Sequence, residues 1–132
     1  MRAHVVAVYL TFPDEASAER VARVLVEARL AACVNVVPGA RSVYRWAGDV
    51  HVEPEVVAIA KTTSDRVAAL AEAVRAAHPF DLPCVVAYPA LGGLEPYLDW
   101  VRDETRPDET QPDASRPDAP GDAGPGDDAA PS

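Results

Sequence analysis

The chain has 132 residues, 21 of them acidic and 12 basic, for a net charge of -9. An acidic surface without a basic stripe repels phosphate backbones and excludes nucleic acid as a partner. No apolar run approaches the ~20 residues of a membrane span, and Cys33 and Cys84 lie too far from each other and from any His cluster to frame a disulfide scaffold or metal knuckle.

The first run, residues 4–12, is β-branched and aromatic and is closed by Pro13, which predicts a strand. Asp14 is placed to cap a helix whose stripe is Val21, Val24, Leu25, Ala28 and Ala32, with Glu19, Arg20, Arg23 and Glu27 on the remaining surface. Strand pattern returns from Cys33 to Trp46, interrupted at Pro38-Gly39, a pair that cannot sit in a regular ladder and predicts a bulge. Ala47-Gly48 reads as a hairpin turn, and residues 50–62 as the returning strand. A second helix starts near Ser64, buries Val67, Leu70, Val74 and Ala77, and stops at His78-Pro79, because proline disfavours helix in the residue before it. Residues 84–89 form a short strand, and a last helix from about Pro96 carries Tyr97, Leu98, Trp100 and Val101.

After Thr105, Pro, Asp, Gly and Ser replace nearly every large apolar residue, and Arg106-Pro107-Asp108, Gln111-Pro112-Asp113 and Arg116-Pro117-Asp118 repeat one theme. Such a segment cannot bury enough apolar area to offset the entropy of ordering. The chain therefore divides into one folded domain, 1–105, and a disordered, acidic, proline-rich tail, 106–132. The opening Met1-Arg2-Ala3-His4 runs directly into the first strand, so the expected location is the cytoplasm, with both cysteines buried as thiols.

The order strand, helix, strand, strand, helix, strand, helix, joined by right-handed crossovers, predicts an α+β fold: a ferredoxin-like βαββαβ sandwich with an antiparallel sheet and an added C-terminal helix. Its strands are apolar on both faces. Val5, Ala7 and Tyr9 alternate with Val6, Val8 and Leu10, while two helices cover one face only. The second face needs the last helix, a partner subunit, or both.

Specific residues then add to the pattern. Thr11-Phe12-Pro13-Asp14-Glu15, Leu30-Ala31-Ala32-Cys33-Val34-Asn35, Pro38-Gly39, Ser42-Val43-Tyr44-Arg45-Trp46-Ala47-Gly48, Lys61-Thr62, His78-Pro79-Phe80 and Tyr97-Leu98-Asp99-Trp100 occur in this order. Together they resemble the CutA family of divalent-cation tolerance proteins. The resemblance implies a compact homotrimer, similar to that of the PII-type signalling proteins, in which the long hairpin pairs with strands of neighbours and ligands lie in clefts between subunits. It also implies a role in the response to divalent metals, copper in particular, with no catalytic reaction. Family members described as copper-binding carry a cysteine where this chain has Leu10 and a His-His pair where it has Ala77-His78.

Six groups of residues are candidates for function. His78, at a helix end, either caps the helix or gives one imidazole donor to a copper or other divalent ion, completed by another subunit or by Cys84 or Asp81. Lys61, the only lysine beside eleven arginines, either snorkels at the sheet rim or gathers an anion with Thr62, Thr63 and Ser64 at a helix N-terminus. Tyr44 and Trp46, with Tyr97 and Trp100, either pack at core and subunit contacts or stack on a planar ligand. Asp49, Glu53 and Glu55 form a solvated end of the hairpin or collect a hard cation. Cys84 and the aromatic pair mark a ligand cleft. Ser42 and Ser64 lack the surroundings of a nucleophile, so the expected protein is not an enzyme. The leading expectation is metal tolerance with weak ion binding at trimer clefts; the alternative is a PII-like sensor taking an anionic metabolite and signalling to a protein partner.

Overall fold

Strand β1 (Val5–Phe12) enters helix α1 (Glu15–Glu27), and the long hairpin β2 (Cys33–Trp46) and β3 (Asp49–Thr63) leads to α2 (Val67–Ala77), β4 (Val85–Pro89) and α3 (Glu95–Glu104). The computed structural model describes residues 3–107. All but the first two residues of the predicted tail lie outside the described residues. The sheet is antiparallel throughout, in the order β2-β3-β1-β4, as the ferredoxin-like reading requires.

Capping sets the helix ends. Asp14 Oδ1 accepts the Ser17 N–H at 2.7 Å, and that bond holds the Asp14 carboxyl below its ordinary value. α1 closes with Arg29 in the left-handed region at φ 60°, a conformation that costs a side chain about 1 kcal/mol. The same residue has a second role: its guanidinium donates to the carbonyls of Asp103 (2.9 Å) and Arg106 (3.1 Å), satisfying the C-terminal end of α3.

Pairing register assigns each strand residue to a face. Val6, Val8, Leu10 and Phe12 turn to the helices, opposite Thr62, Ala60, Ala58 and Val56, and are closed off by Ala18, Val21 and Leu25 of α1 and Leu70 and Val74 of α2. On the other face α3 covers only one end, where Val5, Ala32 and Val101 are buried beside Tyr97, Leu98 and Trp100. The sequence pattern places Val24 and Ala28 in the buried stripe of α1, but both are exposed, and Ala32 lies beyond the helix. The reason is geometric: α1 buries a narrow stripe through Ser17, Ala18, Val21 and Leu25, and the sheet does not reach its flank. Cys33 and Cys84 are half-buried rather than buried, since each stands on the face that the first two helices leave open.

The ladder between β1 and β3 ends at Phe12 opposite Val56. Beyond it the hairpin runs on as a two-stranded arm. At its base Val37 faces Val57 and Ala40 faces Glu55, so Pro38 and Gly39 together oppose Val56; this is the predicted bulge, with Gly39 at φ 95°. At its tip both turn residues adopt positive φ, Ala47 at 55° and Gly48 at 87°, as a two-residue turn of matching twist demands. The arm exposes Val43 (68%), Val50 (60%) and Val52 (52%), side chains that an isolated ribbon in water gains nothing by displaying.

Candidate functional site

The face left open by α1 and α2 holds a concavity of about 800 Å³ between the arm and the segment leading into β4. Tyr44, Trp46 and Phe80 give it aromatic walls, Glu55 and Asp81 give it charge, and Cys84 lies at its base with Tyr9 and Thr11 of β1. Glu55 Oε1 accepts a 2.6 Å hydrogen bond from the Ser42 hydroxyl, which fixes the carboxylate against β2. Desolvation, followed by the charges of Glu53 and Glu55, holds the Tyr44 phenol above its ordinary value. Burial, and then Glu55 again, pushes the Cys84 thiol up, so the sulfur is a poor nucleophile. Among the described residues, the lining includes no lysine, arginine or histidine.

Of the residues singled out from sequence, Tyr44, Trp46 and Cys84 meet here, while Lys61 and His78 do not. Lys61 sits on the same face nearer α3, where its ammonium donates to Asn35 Oδ1 at 2.9 Å and lies 5.8 Å from the centre of the Tyr97 ring. The anion site expected of Lys61 with its neighbours does not assemble. Strand alternation turns Thr62 to the helix side, and the Thr63 hydroxyl donates to Asp65. Cys33 Sγ is 3.5 Å from the Tyr97 hydroxyl; burial and this contact raise that phenol strongly.

His78 is 8% exposed, stacks on Phe12 at 4.6 Å between ring centres and meets the tilted Phe80 ring at 5.0 Å. Nδ1 accepts the Phe80 N–H at 3.0 Å, so the proton is on Nε2, which donates to the Thr11 carbonyl at 2.7 Å. Its backbone N–H closes α2 on Val74. The side chain therefore clamps the turn after α2 to the end of β1 instead of capping its own helix, and a metal ion would reach it only by displacing one of these partners. Leu10 is fully buried on the helix side. Among the described residues no cluster of three or more His, Cys, Asp or Glu has the arrangement to hold a metal. The described residues of this chain do not fit a copper site.

Ser42 donates to Glu55, and both ring nitrogens of His78 are engaged by Thr11 and Phe80, so no Ser–His pair forms with His78 among the described residues. Among the described residues no helix is long and apolar enough to cross a membrane. Glu55, Phe80 and Asp81 are cavity residues that the sequence pattern did not bring together. The signal available was the bulge at Pro38-Gly39, which decides which side of β2 faces Glu55.

The sequence matches the family described as CutA1 divalent ion tolerance protein over residues 6–104. It is 47% identical over 98 residues to the divalent-cation tolerance protein CutA of Thermus thermophilus, covering 74% of this chain and 95% of that one. It is 45% identical over 99 residues to human protein CutA, covering 75% of this chain and 55% of that longer protein. The fold superimposes on the Thermus thermophilus structure with a TM-score of 0.76 at 45% identity, over 77% of this chain and 99% of that one. For the CutA structure of Xylella fastidiosa the TM-score is 0.76 at 40% identity, over 79% and 100%.

Proposed function

We infer that this chain, which belongs to the CutA1 divalent ion tolerance family, serves divalent-cation tolerance as a homotrimer that catalyses no reaction and takes up ions weakly in the clefts between subunits. The exposed arm is the observation that carries the reading. Its apolar rows on one side and Trp46 (55% exposed) on the other leave it without a partner in a single chain, and a neighbouring copy buries such rows at the least cost. The same arm carries Asp49, Glu53 and Glu55. Carboxylates from adjoining copies supply the hard oxygen donors that one copy lacks in number, which accounts for weak, labile binding.

Native mass spectrometry of the metal-free protein, then with limiting Cu(II), Zn(II) and Ni(II), tests this. The expected spectrum shows a trimer whose ion load falls off on dilution. A monomer at micromolar concentration overturns the assembly, and one tightly held ion per monomer overturns the shared, weak site.

A further inference from the structure

We propose that Arg29 and Arg66 form a docking site for an acidic peptide segment, and that its resident occupant is the chain's own stretch beginning at Asp108-Glu109. The site lies apart from the arm and the open sheet face that the proposed assembly uses. Arg29 precedes β2 and Arg66 follows β3, at the end of the sheet opposite the arm. There the C-terminus of α1, the N-terminus of α2 and the C-terminus of α3 converge: Arg66 Nη2 donates to the Arg29 carbonyl at 3.4 Å, and Arg29 donates to the carbonyls of Asp103 and Arg106.

Both guanidinium groups hold backbone carbonyls only, and among the described residues no carboxylate is paired with either. The acids of the same elements are engaged elsewhere: Asp65 with the Thr63 hydroxyl at 2.6 Å, Asp99 with Arg102 at 2.9 Å and Asp103 with Arg106 at 3.7 Å. Arg66 is the less satisfied of the pair, since its Nε is buried without a hydrogen-bond partner. A guanidinium in that state gains from a carboxylate, whose two oxygens match its fork. The chain itself supplies the nearest ones. Arg29 already holds the Arg106 carbonyl at 3.1 Å, and Asp108 and Glu109 follow Pro107 directly. Proline disfavours helix at Arg106, so the backbone leaves α3 there, and two residues reach about 7 Å at most. So short a tether holds the carboxylates at a high effective concentration beside the arginines. An outside acidic peptide or a free phosphate has the same chemistry without the tether, and a metal ion is repelled.

Nitrogen-edited NMR spectra of the full-length protein follow the arginine Nε–H signals, and acetylated hexaglutamate serves as the outside probe. The double substitution Asp108→Asn, Glu109→Gln removes two charges and leaves every described residue intact. It is expected to move the Arg29 and Arg66 signals, as about 0.5 M NaCl does in the parent by screening. It is also expected to tighten hexaglutamate binding about 3- to 10-fold, the effect of removing two exposed ion pairs that compete with the probe. In an Arg66→Gln background the same tail substitutions are expected to leave hexaglutamate affinity unchanged. Arg29 is kept throughout, because it also closes α3. Arginine signals unmoved by the tail substitutions, equal hexaglutamate affinity with and without them, or an effect that persists in Arg66→Gln would each overturn the proposal. Inorganic phosphate that moves both signals with one affinity in the parent and in the neutralised variant would show an open anion site, and would overturn the tail as its occupant.

Discussion

Replacing His78 by alanine removes a clamp built from both ring nitrogens and from contacts with two neighbouring rings. The Thr11 carbonyl loses a 2.7 Å donor and the Phe80 N–H a 3.0 Å acceptor. Each such bond is worth about 1 kcal/mol net, and more where the partner stays dry. The void between Phe12 and Phe80 adds the cost of a truncated ring, about 1–2 kcal/mol for a site with one open side. Together these set an expected loss of about 3 kcal/mol, a large share of the stability of a domain this size. Urea unfolding at one fixed protein concentration measures it, since the proposed assembly would make the midpoint concentration-dependent. His78→Asn retains an acceptor where Nδ1 stood and is expected to lose roughly 1 kcal/mol less. A loss below about 1 kcal/mol in His78→Ala, or identical midpoints for the two variants, would refute the clamp. An unchanged midpoint with tenfold weaker Cu(II) uptake would instead restore the imidazole as a metal donor.

Ala47 holds a left-handed conformation at the arm's tip, so Ala47→Asn, giving Asn-Gly at the turn, is expected to stabilise by about 0.5–1 kcal/mol; a lower Tm at matched concentration would contradict this. Arg29 has a backbone that favours glycine and a side chain that closes α3. Arg29→Gly should therefore unfold later than Arg29→Ala, by about 1 kcal/mol, with both below the parent; reversal of that order in denaturant melts would reject the argument. The Asp14 carboxyl titrates lower in the folded chain than in the unfolded one. Its contribution is thus complete above the unfolded value and disappears as pH falls through the folded value. Asp14→Ala should lower Tm near neutrality, and the deficit should shrink in acid; a deficit constant with pH would show that the carboxylate charge plays no part.

Element order and most boundaries were legible because the punctuation is strong. Pro13, the Ala47-Gly48 pair and His78-Pro79 each interrupt a clear period, and the structure ends or turns its elements there. The choice between the two faces of β1 was not legible, since Val5, Ala7 and Tyr9 are as apolar as their neighbours; packing of α1 and α2 makes it. Lys61, Tyr44, Trp46 and Cys84 were named as cleft candidates; the last three line one concavity and Lys61 does not. Glu55 and Asp81 belong to it through pairings between segments distant in sequence, which no local period records. Lys61 and Thr62 were grouped because they are adjacent, yet adjacency in a strand means opposite faces.

The two-against-one step at Pro38 and Gly39 acts as a change of reading frame for the arm. Before it, odd-numbered residues of β2 face the open side with Ile59 and Lys61; after it, even-numbered residues do, opposite Glu55, Glu53 and His51. Were Pro38 and Gly39 each paired one-to-one with β3, the same sequence would aim Arg41, Val43 and Arg45 at the cleft and turn Tyr44 and Trp46 away. Two guanidinium groups would then stand where two rings now stand, and the cleft would lose aromatic wall and gain positive charge. The chemical character of the cleft thus rests on the parity of a single strand as well as on the residues that line it: pairing Pro38 and Gly39 one-to-one would invert that parity, whereas deleting either of them would restore a regular ladder and leave Tyr44 and Trp46 on the face they now occupy.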